Sequence, residues 1–75
     1  MVIEVRYQRA EDAKDPRAHF TETKYFEIDQ MPDRKMVAQK LKSMGVDFDE
    51  GSILIEACKD NAETMRKGNI LVLKF

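Results

Sequence analysis

Any chemistry in this chain has to start from very few side chains. His19 is the single histidine, Cys58 the single cysteine, and Ser43 and Ser52 are the serines. Nucleophilic catalysis needs a nucleophile, a base within hydrogen-bond reach and a group that stabilises developing charge. His19 sits in a charged stretch and Cys58 at the end of an apolar one, so nothing local holds them together. The expectation is a solvated His19, a structural Cys58, no catalytic residues and no enzyme activity. Asp47, Asp49 and Glu50 ahead of Gly51 look like a fragment of a calcium loop. Such a loop needs a carboxylate at its twelfth position, and counted from Asp47 that position is Cys58. One Cys and one His do not complete a tetrahedral zinc site within one chain, and the three glycines are isolated rather than gathered into a phosphate loop. No metal, cofactor or small-molecule substrate is expected.

Two surfaces carry more signal. Arg34, Lys35, Lys40 and Lys42 fall in a stretch without acids, inside a chain whose formal net charge is −1. On the exposed side of a helix they would suit an acidic protein or a phosphate backbone. An ordinary solvated helix face is the plain alternative. Aromatic residues that would stack bases are not interleaved with these charges, and the chain is not basic overall. That places nucleic acid behind protein as the expected partner.

The second surface depends on the elements that build it. Residues 1–9 alternate, with Met1, Ile3, Val5 and Tyr7 on one face and Val2, Glu4, Arg6 and Gln8 on the other. Period two with β-branched residues predicts a strand. Residues 10–19 are charged and broken by Asp15-Pro16, and read as an exposed loop. Residues 20–29 predict a second strand, with Phe20, Phe26 and Ile28 on one side and Thr21, Thr23, Tyr25 and Glu27 on the other. Met31-Pro32-Asp33 then opens a helix, with Asp33 as N-cap, a stripe of Val37, Leu41 and Met44 flanked by Met36, and Gly45 as the stop. Residues 46–51 form an acidic turn anchored by Phe48, and 52–58 a third strand. Asp60-Asn61-Ala62-Glu63 has the form of a capping box for a short helix over 61–67 ended by Gly68, with a two-strand connection around Gly68 as the alternative. The unbroken apolar run Ile70 to Leu73 predicts a last strand covered on both faces, at the centre of the sheet.

The expected architecture is α+β: a small mixed four-stranded sheet with one main helix on one face, as a single compact domain over residues 1–75. In element order, length and the place of the helix after the first hairpin, the chain resembles ubiquitin-like domains. That resemblance implies a β-grasp arrangement, with the first and last strands parallel at the centre and the other two strands flanking. A ferredoxin-like relative with two full helices is the alternative. The chain ends Leu73-Lys74-Phe75 without a Gly-Gly tail, so conjugation is not expected of it.

If Leu71, Leu73 and Phe75 point at the helix, Ile70 and Val72 point away, and parity adds Val2, Tyr25 and Leu54. Apolar residues on the outer face of a one-sided sheet suggest a surface for another protein or for self-association as a homodimer. The resemblance implies the same, because ubiquitin-like domains commonly bind partners through this face. The competing expectation is that the 10–19 loop or the second helix folds over these residues. An edge strand, expected to be the second, would add strand pairing with a partner. The leading expectation is therefore a non-enzymatic protein-binding module of the adaptor or inhibitor kind. The second is a nucleic-acid-binding accessory protein using Arg34, Lys35, Lys40 and Lys42. With no signal-peptide pattern at the N-terminus and no apolar run long enough to span a membrane, a cytoplasmic soluble protein is expected.

Overall fold

The alternating N-terminal residues do form a strand, β1 (Val2–Tyr7), and it becomes the axis of the sheet. The computed structural model describes residues 1–17 and 22–75. The remaining elements are β2 (Glu22–Glu27), α1 (Arg34–Ser43), β3 (Leu54–Ala57), α2 (Ala62–Lys67) and β4 (Val72–Lys74). Short 3₁₀ turns lie at Asp12–Lys14 and Glu50–Ser52. His19, and the Phe20 and Thr21 expected at the start of the second strand, lie outside the described residues.

The fold is α+β with a four-stranded mixed sheet in the order β3-β1-β2-β4. β1 is antiparallel to both β2 and β3, and β4 runs parallel to β2. This is not the β-grasp order expected from the element sequence. β4 lies at an edge beside β2, not at the centre beside β1, and β2 is an internal strand, not an edge. The alternating N-terminal strand is paired on both sides, with β2 and with β3, which leaves no place beside it for β4. Burial on two faces does not require two neighbouring strands, and the expected covering holds only for the second half of the apolar run, since Ile70 is 38% and Leu71 74% exposed. α1 covers one face of β4 at Leu73, and α2 covers the other at Val72. The strand is also shorter than the run, since Ile70 and Leu71 precede it. The ferredoxin-like alternative needs a helix between the first two strands. The described residues there form only the Asp12–Lys14 turn, tethered by the Ala10 N–H to the Asp47 carbonyl at 3.1 Å and by an Arg9–Phe48 bridge.

The two helices sit on opposite faces. Ile3, Val5, Tyr7 and Phe26 point to α1 and meet Val37, Ala38 and Leu41. Met36 and Met44, counted with the stripe in the sequence, are exposed instead, and Ala38 takes the buried place. Phe48 packs edge-on against Tyr7, with ring centroids 5.9 Å apart. On the other face a smaller cluster joins Val2, Ala62, Met65 and Val72, with Tyr25 and Cys58 at its margin.

Both helices are capped at both ends by local chemistry. The Asp33 carboxylate accepts from the Met36 N–H at 2.8 Å, satisfying a first-turn donor that has no partner inside the helix. At the start of α2 the cap is Asn61, accepting from the Thr64 N–H at 2.8 Å, one residue later than the Asp60–Glu63 box expected. Each helix ends in a paired backbone closure of the Schellman type. In α1 the Val46 N–H reaches the Leu41 carbonyl and the Gly45 N–H the Lys42 carbonyl, with Gly45 at φ 78°. In α2 the Ile70 N–H reaches the Met65 carbonyl and the Asn69 N–H the Arg66 carbonyl. There the left-handed residue is Asn69, at φ 64°, not the neighbouring Gly68.

Candidate functional site

The pleat and the register decide which expected surface residues meet. On the α2 face, Leu54, Arg6 and Thr23 lie in one row across β3, β1 and β2, and Ile70 extends that row just ahead of β4. Glu56, Glu4, Tyr25 and Val72 form the next row, and Val2 stands beyond it. Of the five residues expected to form an open apolar face, Val2 and Val72 are only 1% and 5% exposed, because α2 packs over them. A partner cannot reach those two in this fold. Leu54 is 62% exposed and Ile70 is partly exposed, but Arg6 and Thr23 stand between them. Tyr25 is half-buried, and its hydroxyl donates to the Glu4 carboxylate at 3.1 Å. The face thus divides into a core under α2 and two separate apolar spots, one at each edge of the sheet.

The polar centre of this face is a small cluster around Glu4. Its carboxylate also accepts from Arg6 Nε. Burial, then the carboxylates of Glu4, Asp60 and Glu56, hold the Cys58 thiol above its ordinary pKa of 9.0. Cys58 is therefore kept as a thiol, not poised as a nucleophile. Among the described residues no three His, Cys, Asp or Glu side chains gather into a metal-binding group.

The four basic residues of α1 are not one patch. Arg34 donates from Nη2 to the carbonyls of Glu50 and Gly51, at 3.2 and 3.1 Å, and Lys42 pairs with the Glu50 carboxylate. Both flank β3. Lys40 lies on the other side, with Nζ 5.8 Å from the centroid of the Phe75 ring beyond β4. Arg34, Lys35 and Lys42 line a groove floored by Ala38 and Ile53, with Glu50 as its one carboxylate. Among the described residues Lys35 has no ion-pair partner.

That groove runs beside the outer edge of β3, and the edge is open. The Cys58 N–H donates to the Val2 carbonyl at 2.9 Å, which sets the alternation of the ladder. By that alternation Leu54 and Glu56 turn their backbone groups toward β1, and Ile55 and Ala57 turn theirs outward. No backbone or side-chain group among the described residues bonds these outward N–H and C=O groups. The opposite edge is different. Arg66 Nη2 donates to the Val72 carbonyl at 3.0 Å, so a side chain occupies the middle of the β4 rim. An open edge beside a cationic groove was not foreseen from the sequence. The signal for it was present in the two β-branched residues Ile53 and Ile55, but the sequence does not say which strands are edges.

No helix among the described residues is long and apolar enough to cross a membrane. Compared with protein-family models, with curated proteins and with solved structures, the chain matches none.

Proposed function

We propose that this protein is a small non-enzymatic protein-binding module whose contact surface is the β3 side of the molecule. The observation that carries this reading is the open backbone edge of β3, with the exposed Leu54 on it and nothing among the described residues covering either. Unpaired strand edges are templates for another chain, and folded proteins normally protect them. Here Arg66 occupies the middle of the β4 rim, while no side chain among the described residues bonds the outward groups of β3. Leu54 supplies an apolar anchor of the kind that sits at the centre of a contact. Relative to the expectation from sequence, the surface keeps Leu54, loses Val2 and Val72 to the core, and gains the groove of Arg34, Lys35 and Lys42.

The test is capture of partners from a lysate of the source organism, before and after nuclease, by wild type and by Leu54→Asp. A protein retained by wild type after nuclease and lost by a folded Leu54→Asp variant supports the reading. Retention of the same protein by the folded variant overturns the assignment of this surface.

A second reading, nucleic-acid binding, is favoured by one observation: Arg34, Lys35 and Lys42 share a groove. It gives up Lys40, which faces the other way. It requires an affinity for a duplex or single strand that falls steeply with salt. Affinity that is flat with salt removes it.

A further inference from the structure

We infer that the β3 edge binds an extended acidic segment of a partner protein, which adds to the sheet as a fifth strand and lays its carboxylates in the α1 groove. This rests on the reading of the protein as a binding module and names the chemistry of what it binds. The backbone pattern selects a polypeptide in extended form. Ile55 and Ala57 each offer an outward N–H and C=O two residues apart, the spacing at which a neighbouring strand exchanges hydrogen bonds. A phosphate backbone offers acceptors but no donors for the two carbonyls, and no aromatic side chain lines the groove to stack a base.

The charges select the side chains. A strand added to this edge would lie about 4.8 Å outside β3. Ile53, Ile55 and Ala57 face α1, so alternate side chains of the added strand would face it too, beside Ala38 and under Arg34, Lys35 and Lys42. Three cations stand there against the single carboxylate of Glu50. Arg34 and Lys42 are already oriented by the Glu50–Ser52 turn, so their charge is fixed beside the edge before anything binds. Lys35 is the cation with no internal partner among the described residues. On the other side of the added strand Leu54 asks for an apolar residue. The ligand described is therefore a short segment that alternates β-branched or apolar residues with acids.

The experiment is selection of a displayed library of random short peptides on the full chain, followed by amide hydrogen exchange and titration. The expected result is enrichment of peptides with net negative charge and alternating apolar residues. They should protect the Ile55 and Ala57 amides, bind more weakly as salt rises, and lose about five- to tenfold in affinity to Lys35→Glu. Lys40→Glu should bind them as wild type does. Enriched peptides that are neutral or basic, or that protect other amides, overturn this inference and leave the binding-module reading standing. Enrichment of nothing overturns both. Protection of Ile55 and Ala57 in the peptide-free protein, rising with protein concentration alongside a dimer in sedimentation, assigns the edge to a second copy and overturns the acidic-segment inference.

Discussion

Arg66 donates its Nη2 hydrogen to the main-chain carbonyl of Val72 at 3.0 Å, while the same guanidinium lies 3.6 Å from the Glu27 carboxylate. The Phe75 N–H reaches inward to the Glu27 carbonyl, so by alternation the Val72 carbonyl faces out from the sheet. A side chain from α2 thus takes the hydrogen-bonding position that an incoming strand would use. Arg66→Ala should cost about 0.5–1.5 kcal/mol in urea unfolding and, more tellingly, raise concentration-dependent self-association measured by sedimentation. An Arg66→Ala protein that remains as monodisperse as wild type would mean that the rim of β4 is too short to matter.

The ends of the two helices make opposite demands on their glycines. Gly45 holds φ 78°, where any side chain is strained, although nothing lies within 4 Å of its missing Cβ. Gly68 has an ordinary right-handed backbone, and an added Cβ would meet its nearest neighbour, the Met65 carbonyl, at 3.4 Å. Gly45→Ala should therefore destabilise by about 1 kcal/mol and Gly68→Ala by less than about 0.5 kcal/mol. Asn69→Gly should be neutral or slightly stabilising, since it relieves the left-handed strain at a position that Asn tolerates. Chemical denaturation of the three variants checks the ranking.

Residues that sequence parity placed together on one face should separate in their response to charge. Val2→Asp and Val72→Asp put an unpaired carboxylate under α2 and should cost more than about 3 kcal/mol, enough to unfold much of the population of so small a protein. Leu54→Asp should stay within about 0.5 kcal/mol of wild type. Far-ultraviolet circular dichroism against temperature distinguishes the groups, and similar melting of all three would contradict the placement of α2.

This division shows what the sequence could and could not carry. The alternation of β1, the Asp33 cap, the Gly45 stop and the inward Leu73 are local, and local chemistry made them legible. Strand order is not local. Of the run Ile70–Leu73 only Val72 and Leu73 are covered, each by a helix on its own face, while Ile70 is 38% and Leu71 74% exposed, so an apolar run specifies neither two neighbouring strands nor burial along its length. The small α2 matters most, and its cap lies one residue beyond the Asp60 that the sequence pattern predicts, because Asp60 and Asn61 are equally good caps by type. Its consequence, the burial of Val2 and Val72, turned the expected interaction face into a second core. The split among the basic residues follows from helix geometry. Arg34, Ala38 and Lys42 are four apart and share one side of α1, whereas Lys40 falls on the other.

Tyr7 gives the protein an alkaline limit. Its ring is buried and its hydroxyl donates to the Glu22 carboxylate. Burial first, then the hydrogen bond and charge of Glu22, raise its pKa well above the ordinary 10.0. The unfolded chain then releases this proton more readily than the folded one. The stability that Tyr7 contributes is complete below about pH 10 and is lost progressively as pH climbs from there toward the folded-state value. Tyr7→Phe should cost about 1 kcal/mol at neutral pH but show a flatter decline above pH 10. Denaturation midpoints across that range measure it, and parallel declines for both proteins would assign the alkaline loss to other groups.

Lys35 and Lys40 carry the same charge on the same helix, yet their surroundings predict opposite phenotypes. Lys40 stands over the Phe75 ring, which in turn packs edge-on against Phe26 with centroids 5.5 Å apart. Reversing its charge replaces an attraction of about 0.5–1 kcal/mol with a repulsion from the ring face, so Lys40→Glu should lower stability measurably and leave ligand affinity alone. Lys35 touches no carboxylate among the described residues and lines the groove beside β3. Lys35→Glu should leave stability within about 0.5 kcal/mol and weaken binding of an acidic peptide. Urea unfolding and peptide titration of the two variants form a crossed comparison. If Lys40→Glu weakens binding as much as Lys35→Glu does, the helix acts through its overall charge, and the groove has no special role.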